Sequence, residues 1–146
     1  MCQEPLTSME GQRSHKTILV LEDDAAVGEM IALALAQEAM YTPLVVADPQ
    51  AALAILRSHP VHLVLLDYHV AASTGLEVYD HLQAQEAWRT LPVLIMSDSL
   101  KRHEQELRAR NLAGLSKPFD LDDLFQTIEQ VLTASREENT SDESLA

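Results

Sequence analysis

Cysteine, cationic side chains and long apolar runs are what this chain of 146 residues has least of, and each scarcity excludes something. Its one cysteine, Cys2, cannot close an internal disulfide. No apolar stretch is long enough for a signal segment or a membrane span, so a cytoplasmic protein is expected. Ten Lys and Arg stand against 23 Asp and Glu, a formal net charge of −13. Such a surface repels phosphate backbones, so nucleic acid is not an expected partner, and without a membrane-length apolar run neither is a membrane. The length leaves no room for a second domain, yet with 47% apolar residues one core is readily filled.

What is present is a series of apolar runs that end in acids. Residues 63–66 are continuously apolar, as suits a strand buried on both faces of a parallel sheet, and Asp67 ends the run. Ligands collect outside the carboxyl ends of such strands. An Asp there can equally open a turn or cap a helix. Residues 18–21 run in the same way into Glu22, Asp23 and Asp24. Helix capping by Asp24 accounts for one or two of these acids. The remainder suggests a site for a hard cation such as Mg²⁺, which prefers carboxylate oxygens. A third run, 92–96, ends in Ser97, and a short strand over 113–116 leads into Lys117-Pro118.

Helical periodicity separates the runs. Val27, Ile31, Ala34 and Leu35 form one apolar face. Ala52, Ile55 and Leu56 form a second, behind an Asp48-Pro49 start signal. Residues 76–87 bury Val78, Tyr79 and Leu82. In 99–110 only Leu100 and Leu107 are strongly apolar among many charges, which predicts the least buried helix. Leu121, Leu124, Phe125, Ile128 and Leu132 make a final full stripe. Pro43 marks the strand over 41–47 as an edge strand. The organisation expected is a flexible leader over 1–16, one domain over 17–134 and an acidic disordered tail over 135–146. Five strands alternating with five helices predict an α/β three-layer sandwich, its parallel sheet covered on both faces by right-handed crossovers.

In a parallel sheet Glu22, Asp23, Asp67, Ser97 and Lys117 gather at one rim. The separations are 44 residues from Asp23 to Asp67 and 30 from Asp67 to Ser97. Over residues 16–133 this order and spacing resemble the receiver domain of two-component response regulators, a flavodoxin-like family. The resemblance implies a five-stranded sheet of order 2-1-3-4-5 and a phosphoacceptor at Asp67. It implies Mg²⁺ held by Glu22, Asp23, Asp67 and the backbone carbonyl of His69. Ser97 is the implied hydroxyl contact to the phosphoryl group, Lys117 the implied cation, and Lys117-Pro118 an implied cis bond. Phosphoryl transfer asks for little more than an in-line carboxylate, a divalent ion and a neutralising cation.

The function so implied is that of a stand-alone, single-domain response regulator. It would take a phosphoryl group from a sensor histidine kinase or phosphotransfer protein and act by contact on an output protein. No enzymatic activity is expected beyond self-phosphorylation and self-dephosphorylation. The competing reading is a receiver-like interaction module that works without phosphorylation. A small phosphohydrolase fits poorly, because no separate substrate pocket or general acid is legible. Three positions depart from the family pattern: Ala71 replaces a usual proline, Asp98 a small residue and Gly114 an aromatic. Asp98 brings extra negative charge near the site. Gly114 leaves no ring to move inward with Ser97, so phosphorylation is expected to reshape the loops around Asp67 and Ser97 more than the distal face. His69, His81 and His103 are scattered singly and read as surface residues.

Overall fold

The computed structural model describes residues 15–145, with side chains to residue 135; residues 1–14 of the expected leader lie outside the described residues. Its elements in chain order are β1 (Lys16–Leu21), α1 (Ala25–Ala36), β2 (Tyr41–Val46), α2 (Pro49–Ser58), β3 (Leu63–Asp67), β4 (His69–Val70) and β5 (Ser73–Thr74). There follow α3 (Gly75–Gln83), β6 (Val93–Ser97), α4 (Glu104–Ala109), β7 (Ala113–Ser116) and α5 (Leu121–Leu145). Five strands form one parallel sheet in the order β2-β1-β3-β6-β7, while β4 and β5 make a separate antiparallel hairpin. With the hairpin set aside, this is the expected order 2-1-3-4-5. Pro43 sits on β2, which is an edge strand as its missing N–H predicts.

The solid apolar runs reflect two cores, one on each face of the sheet. Leu19, Leu21, Val64, Leu66 and Ile95 point to the side covered by α2, α3 and α4, through Ala52, Leu56, Val78, Leu82 and Leu107. Ile18, Val20, Leu63, Leu65, Leu94 and Met96 point to the side covered by α1 and α5, through Ile31, Ala34, Leu35, Leu124 and Ile128. Each such side chain, removed from water on both faces, contributes about 1.5–3 kcal/mol. The helices start where the sequence signals them. The Asp24 carboxylate accepts from the amides of Ala26 and Val27 at 3.0 and 3.3 Å. Asp48 accepts from Ala51 N at 2.8 Å behind Pro49, and Thr74 accepts from Glu77 N at 3.2 Å.

Three stretches differ from the sequence expectation. The third helix stops at Gln83 and is followed by a 3₁₀ turn, Glu86–Trp88. The fourth is split into a 3₁₀ turn, Leu100–His103, and the six-residue α4, neither with a side-chain cap. The last helix continues to Leu145, so the backbone of 135–145 is helical where a disordered tail was expected. No Gly or Pro lies between Leu121 and Leu145 to end it. Among the described residues no helix is long and apolar enough to cross a membrane.

Charge is distributed unevenly across the sheet. Between Lys16 and Arg57 there is no Lys or Arg, and the six acids there flank Met30, Leu33 and Val45, all well exposed on α1 and the β2 edge. Lys101, Arg102, Arg108 and Arg110 lie at the opposite edge, beside β7.

Candidate functional site

The carboxyl ends of β1, β3, β6 and β7 carry the chemistry. Glu22 follows β1, is 2% exposed, and donates its backbone N–H to Val46 O. Asp67 is the last residue of the central strand and is 8% exposed. Asp23 is exposed at the rim. Each of these three acids places an oxygen within 4.8 Å of the others. Lys117, reached by a cis Lys117–Pro118 bond, donates from Nζ to Asp67 Oδ2 at 2.7 Å and to Glu22 Oε2 at 2.9 Å. The backbone N–H of Lys117 donates to Ser97 O, which ties its position to the end of β6.

Burial is the main force on Glu22. Withdrawn from water and set beside Asp67, its carboxyl is pushed up from 4.5 to about 7, even though Lys117 pulls the other way. Burial alone would lower the Lys117 ammonium, but its hydrogen bonds to Asp67 and Glu22 outweigh that and hold it above its ordinary value. One cation thus serves two buried acids, with Asp23 as a third at the rim. An all-oxygen donor set of this kind, still acid-rich after the lysine is counted, fits a hard divalent ion.

The loop after Asp67 closes over the acids. Ala71 N donates to Asp23 Oδ2 at 2.9 Å, and His69 N donates to Asp67 Oδ1 at a longer 3.3 Å. His69 therefore joins the site through its backbone, while the residue as a whole is exposed. Ala71 has φ 52°, the left-handed conformation demanded by the tight turn between Val70 and Ser73. Proline, locked near −65°, cannot adopt it, which accounts for its absence here. Gly75 N donates to Tyr68 O at 2.6 Å, and a Cβ on Gly75 would lie 2.6 Å from Asp67 O. Only glycine lets α3 start this close to the acceptor strand.

Ser97 is 1% exposed at the same rim, but its Oγ accepts from Ser99 N at 3.0 Å and makes no bond to Asp67 or Lys117. Asp98 is exposed and accepts from the Ser99 hydroxyl. Gly114 is not backed by empty space. A Cβ there would lie 2.5 Å from Leu100 Cδ1 and 3.1 Å from Leu107 Cδ1, so two leucines occupy the volume a larger residue would need.

One grouping went unread in the sequence. His103, expected on the surface, is 9% exposed because its ring stacks on Tyr68, with centroids 3.5 Å apart and planes at 12°. Tyr68 donates its hydroxyl to Glu106 and meets the edge of His69. Only the 3₁₀ turn places His103 opposite a residue 35 positions earlier, and no local periodicity signals that.

Comparison with known proteins settles the family. The model of the response regulator receiver domain matches residues 18–129. The chain belongs to this family. The receiver is 30% identical over 122 residues to the phosphate regulon transcriptional regulatory protein PhoB of Escherichia coli, covering 80% of this chain and 52% of PhoB. It is 32% identical over 111 residues to the transcriptional regulatory protein MalR of Bacillus subtilis, covering 75% of this chain and 47% of MalR. It spans about half the length of these curated relatives. Among solved structures, the chemotaxis protein CheY4 of Vibrio cholerae superposes with a TM-score of 0.72 at 25% identity, over 80% of this chain and 98% of that one. NtrX of Brucella abortus gives 0.79 at 25% identity, over 88% of this receiver and 29% of NtrX.

Proposed function

We propose that this receiver works as a stand-alone response regulator, accepting a phosphoryl group on Asp67 from a sensor histidine kinase or phosphotransfer protein and signalling to an output protein by contact. The observation that carries the proposal is the position of Asp67. It is a nearly buried carboxylate at the end of the central strand, paired at 2.7 Å with Lys117 and crowded by Glu22 and Asp23.

The chemistry follows from these residues. A carboxylate oxygen of Asp67 forms the new O–P bond while the donor's P–N bond breaks and its electron pair stays on the leaving nitrogen. Lys117, already at the acceptor, neutralises charge on the transferred group. Ser97 Oγ can donate its proton to a phosphoryl oxygen while still accepting from Ser99 N. Glu22, Asp23, Asp67 and the His69 carbonyl would hold Mg²⁺, which supplies charge neutralisation and orientation when bound. Self-phosphorylation and self-dephosphorylation are the only chemistry this proposal asks of the site.

The receiver should gain one phosphoryl mass when incubated with acetyl phosphate and Mg²⁺, and D67N should not. No added mass in the wild-type protein, or equal labelling of D67N, overturns the proposal. A second reading, an interaction module independent of phosphorylation, draws support from Leu100 and Leu107 filling the space at Gly114. It predicts a partner bound equally well with and without phosphoryl on Asp67.

A further inference from the structure

We infer that His103 is a positioning residue for the acceptor loop, acting through the face of its ring on Tyr68. Tyr68 directly follows Asp67, and its backbone is held on both sides: its N–H donates to Met96 O at 2.7 Å, and its carbonyl accepts from Gly75 N at 2.6 Å. Its side chain is held by three contacts. The hydroxyl donates to Glu106 at 3.2 Å, His69 meets the ring at its edge with centroids 4.9 Å apart, and His103 covers one face at 3.5 Å. The next peptide unit carries the His69 amide that donates to Asp67 Oδ1. On the proposed reading the His69 carbonyl, one peptide unit further along, also faces Mg²⁺, and that part of the inference rests on that reading. Whatever fixes Tyr68 fixes this unit.

The imidazole works here as a flat surface. His103 Nδ1 lies 3.5 Å from Glu106 Oε1, too far for a good hydrogen bond, and Nε2 is buried with no hydrogen-bond partner among the described residues. A buried polar atom in that state is costly, whereas the stack is favourable without any proton being placed. Glu106 and His103 lie within four residues of each other, on α4 and the turn before it. The device therefore links the acceptor loop to the α4 side of the sheet through side chains, a route that does not need a ring at position 114.

The test compares the wild-type receiver with H103F, which keeps a flat face, and H103A, which removes it. Hydrogen exchange at the His69 and Ala71 amides is read in EDTA, and Mg²⁺ affinity by NMR titration. H103A should exchange faster at His69 and bind Mg²⁺ more weakly, by about tenfold, the low end of what loss of an orienting partner costs because His103 acts through Tyr68. H103F should match the wild type in both and be at least as stable to urea. Should H103A fail to fold, H103L, which fills the volume without a flat face, replaces it. Unchanged exchange and affinity in the variant lacking the face, or an H103F as impaired as that variant, overturns the inference. Exchange in EDTA is independent of phosphorylation, so acetyl phosphate labelling of the wild type judges the proposed function separately.

Discussion

Gly114 and Leu100 should behave as one unit in stability measurements. The Cβ added by G114A would sit 2.5 Å from Leu100 Cδ1 and 3.4 Å from Leu100 Cγ, where ordinary contact begins near that second distance. The leucine must swing aside by about 1 Å or leave its seat, and surrendering part of a half-buried leucine costs about 1 kcal/mol. Against this, replacing glycine at a position without positive φ gains about 0.4–1 kcal/mol through the unfolded chain. G114A alone should therefore change stability by less than about 1 kcal/mol, because the two effects nearly cancel. L100A alone should cost about 1–2 kcal/mol. In the L100A background only the 3.1 Å approach to Leu107 Cδ1 remains, so G114A should stabilise, with a coupling energy of about 1 kcal/mol across the four proteins. Urea unfolding of the wild type, both single variants and the double variant measures this. Additivity within about 0.3 kcal/mol would mean that Leu100 does not occupy the space at Gly114.

Other expectations concern the loop and the buried acids. A71P should destabilise by more than about 1 kcal/mol, since proline cannot reach φ 52° and removes the donor to Asp23; a urea midpoint equal to the wild type would refute this. G75A should lose several-fold in Mg²⁺ affinity by NMR titration, because the contact at 2.6 Å is to backbone that cannot step aside; wild-type affinity is the contrary result. In EDTA, Glu22 holds its proton up to about 7 against an ordinary 4.5, so its contribution favours the fold fully below 4.5 and is lost as pH rises through 7. The ceiling on that loss is about 3 kcal/mol at ~1.4 kcal/mol per pH unit. Mg²⁺ should abolish the decline and release a proton below pH 7, and a flat stability curve in EDTA over that window contradicts the account.

Fold and acid site were legible for the same reason. Residues 18–21 and 63–66 lack alternation because both faces of their strands are buried, and parallel pairing then forces Glu22, Asp67, Ser97 and Lys117 to one edge. What escaped depends on backbone that has no period. Ala71 at positive φ, the two-residue strands β4 and β5, and the 3₁₀ turn that brings His103 onto Tyr68 are set by tertiary closure around Asp67. Gly114 lacks the ring of the family pattern. The space beside it is filled by Leu100 and Leu107, a packing that a single sequence does not display.

The uneven charge across the sheet makes this receiver an electric dipole. The cation-free edge at α1 and β2 and the edge carrying Lys101, Arg102, Arg108 and Arg110 are separated by four strand spacings, about 19 Å. That exceeds the ~10 Å Debye length at 0.1 M salt, so each edge presents its own field to an approaching molecule. Arg108 and Arg110 are offset by Glu104 and Asp80, so the steering edge is the one at α1, and a partner with a basic binding face would be turned toward it before contact. Encounter rates with such a partner should fall steeply as salt is raised while dissociation changes little, which stopped-flow measurements over a salt series would reveal.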